Sequence, residues 1–129
     1  MLTNPYEKYR QQEILTASPM ELVLMLYDGC VKHFKLAQIA IRGKNMEAAN
    51  HSLIRCQQIL SELNMSLDFS YEMSEDISAL YEFMIRQLTE INMTKNPEDL
   101  DPLIEIMGDL RLAWAEVAKK TKVALVLEE

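Results

Sequence analysis

The chain has 129 residues, of which 49% are hydrophobic, and a formal net charge of −7 at pH 7. A chain of this length can bury a core as one domain without a metal or a disulfide, so its size predicts no cofactor. The acidic charge argues against nucleic acid and anionic membranes as partners, and because no apolar run approaches the ~20 residues that span a bilayer, we expect no membrane insertion.

Residues 1–17 are predicted to form an N-terminal leader with too few apolar anchors to fold alone. Its sequence lacks the basic start and apolar centre of a secretory signal, so we expect a cytoplasmic protein, located in the cytosol. The anchors are Tyr6, Tyr9, Ile14 and Leu15. We expect the leader either to dock on the next helix as a removable cap or to form a static arm.

The first helix is predicted to begin at Ser18, because Ser18, Pro19 and Glu21 together form a capping box. Its apolar residues recur every three or four positions, as on one face of a helix, and Gly43 offers a stop. This core stripe comprises Val23, Leu26, Tyr27, Cys30, Phe34, Ala37 and Ile41.

Three further helices follow the same pattern. Asn45 and Ser74 are the predicted N-caps of the second and third helices, and the fourth begins either at Asn96 or, because of Pro102, later with Asp101 as its cap. The predicted core stripes are Met46, Ala49, Leu53, Cys56, Leu60, Leu63 and Leu67; then Ile77, Leu80, Tyr81, Met84, Leu88 and Ile91; then Leu100, Leu103, Met107, Leu110, Trp114 and Val117.

Four amphipathic helices joined by short linkers predict an all-α fold, an antiparallel up-and-down four-helix bundle. We place the leader or cap at residues 1–17, the bundle at 18–122 and a C-terminal tail at 123–129. The tail sequence also suits a frayed extension of the fourth helix.

The first helix carries more apolar surface than one core face needs. A second stripe, which includes Leu22, Met25, Gly29, Leu36 and Ala40, lies about 110° around the helix from the core stripe. It either packs on a neighbouring helix or lines a groove for a partner segment, and methionine and leucine suit such a groove because they adapt to irregular apolar ligands. The candidate groove residues are Leu22, Met25, Leu26, Gly29 and Leu36.

Residues that could carry chemistry form no catalytic or metal-binding pattern in the sequence. His33 is not followed by the lysine and glycine of a phosphotransfer histidine, and Glu47 and His51 lie one residue too far apart for a di-iron motif. Cys30 and Cys56 are predicted to be small buried hydrophobic residues. We therefore predict no catalytic residue, no metal and no cofactor, hence no enzyme, and expect both histidines on the surface.

Several separated blocks of the sequence resemble the flagellin-specific export chaperone family, FliS. They occur in the order of the family and reach to about Ala118: "NPYEKYRQQEILTASPMELVLMLYDGCVKHFKLA", "ILSELNMSLD", "LYEFMIRQLTEIN" and "LRLAWAEV". The stretch "SLDFSYEMSEDIS" departs from many relatives, which have an acidic turn with two glycines there. The geometry of the turn between the second and third helices therefore does not follow from the resemblance.

The resemblance implies a cytosolic, non-catalytic helical bundle. Family members bind the disordered C-terminal segment of flagellin along hydrophobic grooves, prevent premature polymerisation and pass the cargo to a component of the flagellar type III export gate. In family members the leader occupies part of the binding surface of the free protein, and Tyr6 and Tyr9 of this sequence match its anchoring positions. The alternative is a helical scaffold or dimerisation bundle, since a groove and a self-association surface look alike in sequence; a homodimer stays open.

Overall fold

The computed structural model describes residues 19–128 of the chain, with side chains over residues 19–120. This part contains four α-helices, α1 (Pro19–Arg42), α2 (Met46–Met65), α3 (Met73–Thr94) and α4 (Asp101–Glu128). A 3-10 turn over Pro97–Leu100 precedes α4. The described residues contain no strand, and the predicted all-α bundle is confirmed.

Some predictions fall outside the described residues. These are the leader with Tyr6, Tyr9, Ile14 and Leu15, and Ser18 of the predicted capping box. At the other end α4 continues through Glu128, so the backbone of the predicted tail is helical as far as that residue. The division into leader, bundle and tail stays a prediction.

The core lies where the predicted stripes of the four helices meet. Phe34 of α1, Leu60 of α2 and Leu88 of α3 are fully buried, as is Met107 of α4. Burying an apolar side chain of this size contributes about 1.5–3 kcal/mol. Cys30 and Cys56 are free thiols inside this core, which confirms their predicted role as small hydrophobic residues.

Of three helix ends predicted from the sequence, two are confirmed and one is wrong. The Asn45 side chain accepts the backbone N–H of Ala48 at 3.1 Å and caps α2, as predicted. The predicted cap at Ser74 is wrong, because α3 already begins at Met73. Ser74 is buried within the first turn, and its hydroxyl donates to the Asp68 carbonyl at 2.5 Å instead of capping the helix. α1 ends at Arg42, directly before the predicted stop at Gly43, and the left-handed residue that follows is Lys44, with φ 58°.

The fourth helix begins in two stages. The Asn96 side chain accepts the backbone N–H of Glu98 at 3.2 Å and caps the 3-10 turn, while the α-helix itself starts at Asp101. Both starts left open by the sequence are therefore used. Leu100 is fully buried between them, which holds the connection against the core.

The four helices do not pack equally closely. Close backbone contacts join α1 to α2, α2 to α3 and α1 to α4, whereas α3 and α4 share few of them along the described part of the chain. The predicted core stripes are corrected on this side, because Leu80 of α3 and Val117 of α4 are 36% and 45% exposed. Met46 is also exposed, at the first turn of α2. Within the described residues, none of the helices has the length and apolarity needed to cross a membrane.

Candidate functional site

Partly exposed apolar residues lie along the side of the bundle where α3 and α4 share few close backbone contacts. At about 100° of rotation per residue, Leu80 and Phe83 lie on the edge of α3 that faces α4. Leu110 and Val117 lie on the facing edge of α4, and Ile106 continues that edge by one turn. Phe83 is 40% exposed, while Ile106 and Leu110 are half-buried. We call these five residues the α3–α4 groove.

Beneath the groove, three aromatic side chains form a hydrogen-bonded chain. The Trp114 indole N–H of α4 donates to the Tyr27 hydroxyl of α1 at 2.9 Å, and the same hydroxyl is hydrogen-bonded to that of Tyr81 on α3. The two tyrosine rings lie 6.4 Å apart, centroid to centroid, and are tilted by 54°. Tyr27 is therefore bonded to side chains of both α3 and α4, the two helices that share few close backbone contacts.

Both phenols of this chain stay neutral at physiological pH. Burial raises the pKa of Tyr27 and of Tyr81 above the ordinary value of 10.0, because the charged phenolate would lose its hydration inside the protein. The floor of the groove is consequently uncharged, which suits an apolar ligand.

Polar contacts fix α4 on α1 beside the groove. The Arg111 guanidinium donates from two nitrogens to the Asp28 carboxylate, at 2.6 and 3.1 Å, and this partner raises the pKa of Arg111. The buried Gln38 amide donates to the Pro97 carbonyl at 3.0 Å and to the Asp101 carboxylate at 2.7 Å. The Gln38 bonds attach the connection between α3 and α4 to α1, so the start of α4 is fixed.

The residues predicted as a groove on α1 do not form one open surface. Leu22 and Leu36 are exposed, but Met25, Leu26 and Gly29 are half-buried. Leu26 packs against the core, and a side chain at Gly29 would contact Ile59 of α2. Leu36 belongs instead to a shallow depression on the outer face of α1, lined by Asp28, Val31, Lys32, Lys35, Leu36 and Ile39. The role of the predicted residues in binding stays a prediction.

Sequence reasoning missed the residues that position or line the α3–α4 groove. Phe83 is not in the predicted core stripe of α3, but it lies three residues after Leu80 and hence one helical turn along the same edge. This spacing is the signal in the sequence that could have identified the edge. The sequence leaves Trp114 open as a core anchor or as an aromatic residue at the edge of a groove. It is half-buried and packs against the core, and its indole N–H reaches the Tyr27 hydroxyl. Gln38 carried no local signal, since its partners lie in the connection between α3 and α4.

His33 contradicts the prediction of a solvated surface histidine, whereas His51 is exposed as predicted. His33 is half-buried, and its Nδ1 is a buried polar atom without a hydrogen-bond partner among the described residues. Burial, followed by the charges of Lys32 and Arg55 and by His51, lowers its pKa below the ordinary 6.5. The folded chain therefore disfavours the charged imidazole.

We expect acidification from about pH 7.5 to about pH 5.5 to lower the melting temperature less in His33→Gln than in the unaltered chain. The pKa of His33 lies below 6.5 in the folded chain and near 6.5 in the unfolded chain, so between these values the unfolded chain binds more protons. The neutral imidazole therefore favours the folded chain at the higher pH, and this contribution to the free energy of unfolding is lost as the pH falls. Circular dichroism melts measure the difference. His51→Gln is the control, and an equal pH response of both variants would contradict the assignment.

Comparisons with known proteins all identify the same family. The model of the family described as flagellar protein FliS matches residues 2–121. The flagellar secretion chaperone FliS of Bacillus subtilis is 40% identical over 124 residues, which are 94% of this chain and 91% of that protein. The chaperone of the same name from Campylobacter jejuni is 31% identical over 121 residues, which are 92% of this chain and 94% of that protein.

A solved structure supports the fold. The crystal structure of a flagellar chaperone from bacteria has a TM-score of 0.75 at 19% identity and covers 89% of this chain and 95% of its own.

Proposed function

Because this chain belongs to the FliS family of flagellar secretion chaperones, which are not enzymes, we propose that its cargo is the disordered C-terminal segment of flagellin. In this proposal the protein holds the segment in the cytosol, prevents premature polymerisation and delivers it to the flagellar type III export gate. The observation that carries the proposal is the α3–α4 groove, with Leu80, Phe83 and Val117 exposed along it.

The groove has the properties that a folding-on-binding cargo requires. An amphipathic helix binds a hydrophobic groove through apolar residues three and four positions apart. The neutral side chains of Tyr27 and Tyr81 form the floor, so such apolar residues meet no buried charge there. Binding energy alone can hold the cargo away from self-assembly, so no catalytic group is needed.

The face of α1 that carries Leu22, Met25 and Leu36 is the second surface that we propose for the cargo. A segment that wraps around the bundle can contact this face and the α3–α4 groove at separate points. We further propose that the leader, through Tyr6 and Tyr9, covers part of the binding surface until the cargo displaces it.

Isothermal titration with a peptide covering about the last forty residues of flagellin tests the proposal, since coupled folding and binding bury a few thousand Å². We expect saturable one-to-one binding with a large negative heat-capacity change, because apolar surface leaves water as the segment folds into the groove. A scrambled peptide of the same composition is the control.

If the folded chain releases or absorbs no heat on titration with the peptide at several temperatures, the proposal is contradicted. The alternative, a helical scaffold, would then be favoured. Equal binding of the scrambled peptide would show unspecific attraction to exposed apolar surface and would also contradict it.

A further inference from the structure

The connection between α2 and α3 presents an unusually apolar surface to solvent. Met65, Phe69, Tyr71 and Met73 are each between 58% and 81% exposed, and all lie within nine consecutive residues. We call residues 65–76 the tip. Clustered large apolar side chains at the surface of a chain mark an interaction site more often than scattered ones do.

The tip is an ordered turn. The Asp68 carboxylate accepts the Ser70 backbone N–H at 2.9 Å, and the Asp68 carbonyl accepts the Ser74 hydroxyl at 2.5 Å. Next to the tip, the Ser78 hydroxyl of α3 donates to the Asn64 side chain of α2 at 2.6 Å and joins the two helices. Since the backbone is already fixed, ordering this surface on binding costs less than ordering a disordered loop.

Carboxylates surround the apolar side chains of the tip. Among the described residues, none of these carboxylates is in an ion pair. The hydrogen bonds of Ser70 lower the pKa of Asp68, which is therefore charged at neutral pH. Residues 56–85 contain no lysine or arginine, and their acidic residues are Glu62, Asp68, Glu72, Glu75, Asp76 and Glu82.

The helix ends at the tip do not neutralise this charge. The negative end of α2 and the positive end of α3 meet here, and each corresponds to only about half an elementary charge, so the two largely offset each other. The last turn of α2 has no basic residue, and the first turn of α3 contains Glu75 and Asp76. The tip therefore keeps a negative potential that attracts cations.

We infer that the tip binds a segment of another protein in which lysine or arginine residues lie beside an apolar stripe. The carboxylates recognise the cations, and the exposed apolar side chains contact the stripe. Phe69 and Tyr71 add to the attraction because aromatic faces bind cations, and Met65 and Met73 adapt to the shape of a ligand. Nucleic acids and anionic membrane surfaces would be repelled, so the partner is a protein.

The tip and the α3–α4 groove are neighbours with different chemistry. Met73 lies seven residues before Leu80, which is two turns along the same face of α3. The floor of the groove is uncharged, whereas carboxylates surround the tip, so the two surfaces select different partners. Binding at the tip does not require that the cargo of the groove be flagellin.

Titration of the full chain with a synthetic peptide of about 18 residues, five helical turns, tests the inference. Leucines in the peptide recur every three or four positions, and lysine and arginine fill the others. We expect saturable one-to-one binding that weakens with added salt, because exposed charges are screened. Two control peptides should bind at least about tenfold more weakly, one with the same residues reordered so that the leucines share no face, the other with glutamate for each basic residue.

Variants of the chain locate the binding surface. Phe69→Ser with Tyr71→Ser should lower the affinity for the basic peptide at least about tenfold, because it removes the two aromatic contacts. Glu72→Lys with Glu75→Lys should do the same, because it replaces attraction by repulsion. Circular dichroism confirms that both variants are folded.

Matched changes outside the tip are the controls. Met93→Ser alters an 81% exposed methionine near the far end of α3. Glu105→Lys with Asp109→Lys reverses two exposed carboxylates of α4. Neither control should change the affinity for the basic peptide. In nuclear magnetic resonance spectra, the backbone amide signals of residues 65–76 should shift as the peptide binds.

Several outcomes would overturn the inference. These are an unaltered chain that does not bind the basic peptide, undiminished binding in both tip variants, equal binding of the reordered peptide, and shifts confined to the α3–α4 groove. Signals of the tip that shift with protein concentration alone would show that a second copy occupies it. A parallel loss of affinity for the flagellin peptide would assign the tip to the cargo surface. Failure of the unaltered chain to bind the flagellin peptide contradicts the proposed function alone.

Discussion

The variant Tyr27→Phe is expected to unfold with a free energy about 1–3 kcal/mol lower than that of the unaltered chain. One hydroxyl serves both the Trp114 indole and the Tyr81 hydroxyl, and its removal leaves both groups without this partner in the interior. A buried polar group that loses its partner costs more than the net value of one hydrogen bond. Chemical denaturation followed by circular dichroism measures the change.

A matched control is available in the same chain. Tyr71→Phe removes a hydroxyl from a side chain that is 68% exposed, so we expect a change within about 0.5 kcal/mol. If Tyr27→Phe also changes the unfolding free energy by no more than this, the hydroxyl chain does not stabilise the fold.

The variant Phe83→Glu is expected to weaken binding of the flagellin peptide at least about tenfold, because it places a charge in the apolar groove where the cargo would exclude water. The residue is 40% exposed, so the free chain can keep the carboxylate hydrated, and we expect it to remain folded. Titration calorimetry measures the affinity, and a thermal melt confirms the fold.

Two further variants make this result specific. Met93→Glu introduces the same charge on α3 at an exposed residue outside the groove and should leave the affinity unchanged. Met25→Glu tests the face of α1 predicted from the sequence. Loss of binding in Met25→Glu together with normal binding in Phe83→Glu would show that the cargo uses α1 and not the α3–α4 groove.

The core of the bundle could be predicted from the sequence because it depends on local periodicity. Phe34, Leu60 and Leu88 recur at three- and four-residue spacing with their neighbours, and this spacing places them on one face of each helix whatever the helix packs against. The Asn45 cap could also be predicted, since its partner is the N–H of Ala48, three residues away.

The groove could not be predicted in the same way. Periodicity gives the face of a helix but not how closely the next helix packs, so it places Leu80 and Val117 in the core although both are exposed where α3 and α4 share few close backbone contacts. Ser74 has the local pattern of a cap, but its hydroxyl is bonded to the Asp68 carbonyl. Gln38 bonds to groups 59 and 63 residues away, which no short pattern records.

The position of Trp114 has a practical consequence. It is the one tryptophan in the sequence, and it lies on α4 between Leu110 and Val117, which line the groove one turn to either side. Its indole is half-buried and bonded to the core through Tyr27, so its fluorescence depends both on the integrity of the fold and on the water that reaches the groove. The chain thus contains a native optical probe, and one emission spectrum can follow folding and groove occupancy without any added label.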